Sequence, residues 1–289
     1  LDRDLSISVD CVGGETSDQL VANFITYILE VVELLEREHD LTPANVKVTT
    51  LIERLKQQVT LQFSPDEIQA VLGNRQIQPL HPRLLAKLSE CERHSELFYS
   101  RQLCQSHSLS LDRMTRLPSW GVYETLVGQE IQFIRKYTRQ ELIRTPIVFV
   151  GSGPMPLSAI LIHLYTDVDV ICLEMDDVAY NASRELLQRL GLENKVKVLH
   201  ENGETFHYRA FRRVFVASLV SNKAAVLKQI KRTAHDPLVA VRTAEGMRQL
   251  IYESVDEEQL DQLGWVLMGR TSTEGSLVIN STLFMEQRE

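Results

Sequence analysis

The hydrophobic period of this chain changes once, near residue 146, and that change limits the folds open to it. Before it, apolar side chains recur at three- and four-residue steps, the spacing of an amphipathic helix. Residues 18–38 show this with Leu20, Val21, Phe24, Ile25, Ile28, Val31, Val32 and Leu35, and the N-cap is expected at Ser17 and Asp18. Further helices are expected over 43–59, 64–73, 82–106 and 119–139. Pro43 suits a first-turn position, and Ser64-Pro65-Asp66-Glu67 is a helix start.

From residue 146, short β-branched runs alternate with helical stretches. Strands are expected at 147–150, 168–173, 196–199, 214–218 and 238–242, and helices at 155–165, 177–190, 221–233 and 246–252. The strand runs are nearly continuously apolar, as when helices cover both faces of a sheet. Repeated βα units build a parallel, doubly wound sheet. The end breaks the pattern: 265–270 and 277–285 flank Gly275 with no helix between, which reads as an antiparallel hairpin closing the sheet edge. The expected fold is α/β, with an all-α N-terminal domain over 1–140 and a Rossmann-like domain over 141–289.

Charge and composition exclude several partners. The chain has 31 basic and 39 acidic residues and a net charge of −8 among its 289 residues, with no basic face of the kind that reads duplex nucleic acid. No apolar run approaches the roughly 18–20 residues that span a bilayer. No charged-then-apolar leader opens the sequence, although its first residue is Leu1, and a cytoplasmic location is expected. Cys11, Cys91, Cys104 and Cys172 form no CxxC pair and read as free thiols. The histidines form no HExxH and no Cys/His cluster, so no metal site is expected. His94, His107 and His200 read as structural, and a homodimer is left open.

Phe149-Val150-Gly151-Ser152-Gly153-Pro154-Met155-Pro156-Leu157 follows the first strand and opens a helix. A glycine-rich turn there lets a ligand approach the backbone at the carboxyl edge of the sheet. The prolines narrow the ligand. A dinucleotide pyrophosphate uses free N–H groups at the helix N-terminus, and Pro154 and Pro156 remove two of them. The turn suits a nucleoside without a phosphate, of which S-adenosylmethionine (SAM) is the common one. Glu174, 23 residues after Gly151, ends the second strand, where a carboxylate can accept both ribose hydroxyls. Asp176 is a weaker candidate for the same site. The loop Glu201-Asn202-Gly203-Glu204 is placed to flank the adenine, and Ala217-Ser218-Leu219-Val220 to border the transferring group.

These residues resemble a family. GSGPMPLSAIL, from Gly151, resembles the GSGPLPLTSI run of nicotianamine synthases. The segment Arg242-Thr243-Ala244-Glu245-Gly246-Met247-Arg248-Gln249-Leu250-Ile251-Tyr252 resembles their R-[ST]-x-x-G-x-R-x-[FI]-L-Y, and Val278-Ile279-Asn280-Ser281 their VVNS. In the helical half, Glu90-Cys91-Glu92 through Glu96, Tyr99 and Ser100 is similar to their E-A-E-x-x-x-E-x-x-Y-S. Tyr123 followed by Glu130 is similar to N-Y-x-x-L-x-x-L-E. The resemblance covers about residues 85–289. It implies a class I SAM-dependent sheet finished by the hairpin. It also implies transfer of a 3-amino-3-carboxypropyl group, rather than a methyl, with methylthioadenosine as by-product. Plant and archaeal members condense three SAM molecules into nicotianamine. Bacterial relatives make one transfer onto histidine, and a downstream opine dehydrogenase finishes a metallophore.

The sequence departs from the plant pattern where the family lines its substrate side. Glu245 stands for the His of R-S-A-H-G, Val122 for the Asn before the tyrosine, and Trp120-Gly121-Val122-Tyr123 for an F-P-Y-Y patch. A changed acceptor, histidine ahead of a second SAM, is therefore expected. An ordinary methyltransferase is the reading from a different reaction class. By resemblance Glu96 is the base, with Glu92 the next choice, and Tyr123 orients the attacking amine. Trp120 is expected on the substrate side. Arg242 or Arg248 can hold an α-carboxylate bidentately, or else pair with Glu245 or a neighbouring acid.

Overall fold

The computed structural model describes residues 16–137, 145–273 and 278–288; Cys11, residues 138–139 of the expected long helix, Gly275 and Leu277 lie outside them. The helical half contains α1 (Ser17–Arg37), α2 (Val46–Val59), α3 (Pro65–Leu72), α4 (His81–Gln105), α5 (Leu111–Met114) and α6 (Trp120–Tyr137). Two starts differ from expectation. The cap of α1 is Thr16, whose hydroxyl accepts the Gln19 N–H. Helix α2 begins after Asn45 rather than at Pro43, because the Asn45 side chain accepts the Val48 N–H while its amide donates to the Asp40 carbonyl. Ser64 and Glu67 form the full reciprocal cap of α3, worth about 1 kcal/mol. The apolar faces of α1 to α4 meet in one core that also takes in Met247, Leu250, Ile251 and Ile279 from the second half.

The sheet contains β1 (Ile147–Val150), β2 (Val170–Glu174), β3 (Val196–His200), β4 (Arg213–Val216), β5 (Leu238–Thr243), β6 (Trp265–Arg270) and β7 (Ser281–Gln287). Its order is β3-β2-β1-β4-β5-β7-β6. The first five strands run parallel, and β7 lies antiparallel between β5 and β6. Four helices accompany them: α7 (Leu157–Thr166), α8 (Asp177–Leu190), α9 (Lys223–Thr233) and the unexpected α10 (Glu257–Gln262). The helix expected over 246–252 is a short 3-10 turn, Gly246–Leu250. Strand β2 starts two residues late, after the left-handed Asp167 that ends α7. Strand β4 stops at Val216, so Ala217 and Ser218 leave the ladder.

Successive side chains of a strand point to opposite faces. Ile147 and Phe149 of β1 join one core, while Val148 and Val150 join another with Val226, Leu227 and Ile230 of α9. The first core includes Leu103 and Cys104 of α4 and Val127, Ile131 and Ile134 of α6. The hydrophobic interior thus runs across the change of period near residue 146. Helix α6 is a covering helix of the sheet, and this brings α4 and α6 over the carboxyl ends of β1, β2 and β4. In a doubly wound sheet the crevice lies there, where successive connections leave to opposite sides.

Candidate active site

A cavity of about 440 Å³ opens at that edge, bordered by the sheet loops below and by α4 and α6 above. It is lined by Gly151, Ser152, Gly153 and Pro154 after β1, by Glu174 and Asp176 after β2, and by Asn202 after β3. Ala217 and Ser218 line it after β4, and Glu92, Glu96 and Tyr123 from the two helices.

Glu174 is buried and organises the floor. One carboxylate oxygen accepts the Gly153 N–H at 2.8 Å, and the other accepts the Asp176 N–H at 2.9 Å. Each oxygen keeps a second acceptor site, the requirement for a vicinal diol. Asp176 also caps α8 by accepting the Ala179 N–H at 2.8 Å, so its side chain has a structural duty. The Ser218 hydroxyl accepts from the Asn280 amide at 2.6 Å, which ties the loop after β4 to the segment entering β7.

The roof follows from helical spacing. Glu92 and Glu96 are four apart on α4, and Tyr123 and Glu130 are seven apart on α6, so each pair shares a helix face. The Tyr123 hydroxyl donates to Glu96 Oε1 at 3.1 Å. Glu96 comes down onto the glycine turn. A Cβ placed on Gly153 would run into Glu96 Oε2, and Gly153 has φ +68°. The left-handed backbone favours glycine there, and its bare face admits a carboxylate from the opposite wall. Burial, and next the charge of Glu92, push the Glu96 carboxyl well above the usual carboxylate range. Burial and the Glu96 charge likewise raise the Tyr123 phenol, which stays a donor at neutral pH.

Alongside lies a second acid–phenol pair. The Tyr252 hydroxyl donates to Glu92 Oε2 at 2.8 Å, from a residue 160 positions away in sequence. Tyr252 carries no motif of its own, and its place in the R-x-x-x-G-x-R-x-x-x-Y segment was the available signal.

Of the three expected substrate contacts, Arg242 borders this cavity and Trp120 and Arg248 do not. Trp120 is buried in the sheet core and does not line the cavity, because the first turn of α6 faces that core. Arg242 borders the cavity, but its fork is taken: Nε and Nη2 donate to Glu130 at 2.9 and 3.1 Å. Thr282 donates to the same carboxylate at 2.6 Å, and the guanidinium lies 5.3 Å from the centre of the Phe149 ring. Arg248 and Glu245 line a different cavity, of about 560 Å³, beside residues 59–63 and 270–273. Glu245 accepts from Arg270 at 2.6 Å and from Ser281 at 3.0 Å. The position that departs from the plant histidine is therefore engaged in an ion pair. Cys91 and Cys172 are free and buried, with thiols pushed up to about 11 and about 12 by burial, so neither is a nucleophile at neutral pH.

The strand order with β7 inserted antiparallel between β5 and β6 is that of class I SAM-dependent enzymes. The family model described as nicotianamine synthase protein matches residues 16–289, and the chain belongs to the nicotianamine synthase family. Nicotianamine synthase 3 of Oryza sativa subsp. indica is 27% identical over 234 residues, which are 76% of this chain and 66% of that protein. L-histidine 2-aminobutanoyltransferase of Pseudomonas aeruginosa is 32% identical over 121 residues, 41% of this chain and 45% of that one. Its namesake from Yersinia pestis is 29% identical over 177 residues, 61% of each. The matches thus span about two thirds or less of these relatives' length. Crystal structures of MtNAS share the fold. A mutant bound to S-adenosylmethionine superposes with TM-score 0.79 at 19% identity, covering 92% of this chain and 98% of that one. A complex with MTA and tNA gives 0.78 at 20% identity, covering 93% and 98%.

Proposed function

We propose that the chain transfers the 3-amino-3-carboxypropyl group of SAM to the amine of an amino-acid acceptor, histidine, in building an opine-type metallophore. The observation that carries this reading is the Glu96–Tyr123 pair on Gly153, in the same cavity as Glu174. Glu174 would take the ribose hydroxyls, Asn202 would flank the adenine, and Ala217 and Ser218 would border the sulfonium.

The chemistry follows from the donor. The amine nitrogen forms a bond to the side-chain methylene next to sulfur, and that carbon–sulfur bond breaks. Its electron pair returns to sulfur, which leaves as the neutral thioether methylthioadenosine. The proton of the new ammonium passes to Glu96. Which of the three carbons on sulfur reacts is set by placement, since in-line geometry within about 3–3.5 Å dominates the rate. A carboxylate with a raised pKa is suited to this proton, because efficient bases titrate near the working pH. The helices over the cavity also keep water from the sulfonium. The product is an N-substituted amino acid with a free amine, the substrate type that a downstream opine dehydrogenase would couple reductively to a keto acid.

The longer match to the rice synthases supports a second reading, the condensation of several SAM molecules. Mass spectrometry of products from SAM with and without histidine tests both. One aminobutyrate on histidine, with methylthioadenosine, is expected. Nicotianamine formed from SAM alone would select the second reading, and S-adenosylhomocysteine would replace both with methyl transfer.

A further inference from the structure

Both substrates in the proposed reaction carry an α-carboxylate, and a cavity with this many acids needs a cation to receive one. Glu90, Glu92, Glu96, Glu174, Asp176, Glu201 and Glu204 border it, against Arg93 and Arg242. Arg242 is engaged by Glu130 through two hydrogen bonds. Arg93 is different. Its guanidinium has a single polar neighbour among the described residues, the ring of the adjacent His94, with Nη2 and Nε2 3.5 Å apart. Glu90, three residues before it and within reach of its charge, is hydrogen-bonded by Lys87 instead, at 2.8 Å. Arg93 is thus the one cavity-lining cation, among the described residues, that makes no salt bridge or hydrogen bond to a carboxylate.

Its place on α4 indicates which carboxylate it meets. Arg93 precedes Glu96 by three residues, so the two side chains are neighbours on the helix surface, with Cβ atoms about 5–6 Å apart. The amine and carboxylate of an α-amino acid leave the same carbon. An acceptor whose nitrogen rests on Glu96 and Tyr123 must present its carboxylate within a few ångströms, toward α4. On the function proposed above the donor would be held from the other side, by the loops after β1, β2 and β3.

We propose that Arg93 is the specificity-determining residue for the acceptor, binding the α-carboxylate of an amino acid whose amine lies at Glu96 and Tyr123. This rests on the function proposed above and assigns the carboxylate reader that neither Arg242 nor Arg248 supplies. A guanidinium grips a carboxylate through two parallel N–H donors, and a lysine cannot copy that fork.

The test compares Arg93→Met and Arg93→Lys with the unaltered chain. It measures the SAM Kd by calorimetry and transfer to histidine and to histamine, which lacks the carboxylate. Arg93→Met is expected to raise KM for histidine by roughly 10- to 100-fold, the value of a charge-assisted bidentate contact. It should leave SAM affinity within about threefold, and Arg93→Lys should recover only part of the loss. The preference of the unaltered chain for histidine over histamine should disappear in Arg93→Met. Weaker SAM binding with an unchanged KM for histidine would assign Arg93 to the carboxylate of the donor and overturn the proposal. An unchanged histidine preference would overturn it too. Histidine transfer by the unaltered chain is the separate control. If product forms from SAM alone, the histidine reading fails. Arg93→Met must then raise the concentration dependence of transfer to the accepting SAM while single-site SAM affinity holds. Transfer to no acceptor removes both proposals.

Discussion

Two glutamates on neighbouring helices meet the sheet within the same molecule, and their surroundings differ in one respect. Glu130 on α6 is sealed, matched by the Arg242 guanidinium at 2.9 and 3.1 Å and by the Thr282 hydroxyl at 2.6 Å. Glu96 on α4 faces the cavity, and among the described residues its side-chain hydrogen bond comes from a neutral phenol. Burial and the nearby Glu92 charge press on it, and among the described residues no cation forms a salt bridge with it. A buried acid paired with a guanidinium holds structure. A half-buried acid given a phenol, with another acid nearby, has a carboxyl that can take up a proton where it is needed. The same residue type thus divides into a clamp and a candidate base by what stands opposite.

This contrast predicts opposite failures. Glu96→Gln is nearly isosteric and should keep the fold and SAM binding, while transfer to histidine falls by roughly 10²–10⁴-fold. Circular dichroism, SAM titration and turnover on one sample check it. Glu130→Ala should do the reverse, with stability falling by about 3–5 kcal/mol because Arg242 is left buried without its partner. Urea denaturation measures that loss, and a stable Glu130→Ala would erase the distinction between clamp and base. Glu174→Ala should weaken SAM binding by about 1.5–3 kcal/mol, the value of hydrogen bonds to a charged group, and unchanged affinity would take Glu174 out of the site. Glu92→Gln should have the smallest effect, and its sign is fixed. The rate is lost as pH falls through the Glu96 titration, and Glu92 raises that titration. Removing the Glu92 charge must move the acid limb of kcat/KM to lower pH. A limb that stays or moves up would show that Glu96 does not set it.

The features that were legible in the sequence are local ones. The glycine turn, its prolines and Glu174 lie on the ends of adjacent strands, so spacing alone places them on one edge. The strand–helix alternation located the five parallel strands because each is a short apolar run. What the sequence hid lies across long separations. Glu130 meets Arg242 from 112 residues away and Glu92 meets Tyr252 from 160. The sequence leaves Arg242 and Arg248 open between a substrate carboxylate and a neighbouring acid, and the fold gives Arg242 the acid Glu130 and sets Arg248 in a different cavity. Trp120 was placed on the substrate side by analogy with an aromatic patch, whereas the first turn of α6 buries it. Arg93 was silent, since an arginine on an exposed-looking helix has no motif until α4 is laid over the cavity. Pro43 and Asn45 are equally good local starts for α2, and the side-chain bonds of Asn45 to Asp40 and Val48 decide between them.

At the centre of the proposed function, the Glu96 carboxyl is held ready to accept a proton in the cavity under α4 and α6. This can be tested by titrating that group directly. Carbon-13 labelling of glutamate side-chain carboxyls gives a resonance that Glu96→Gln removes, and its shift against pH reports its protonation. A midpoint well above the ordinary value of about 4.3 for glutamate is expected. That midpoint should fall toward the ordinary value in Glu92→Gln. A Glu96 resonance titrating at the ordinary value, indifferent to Glu92, would contradict the proposed role of Glu96.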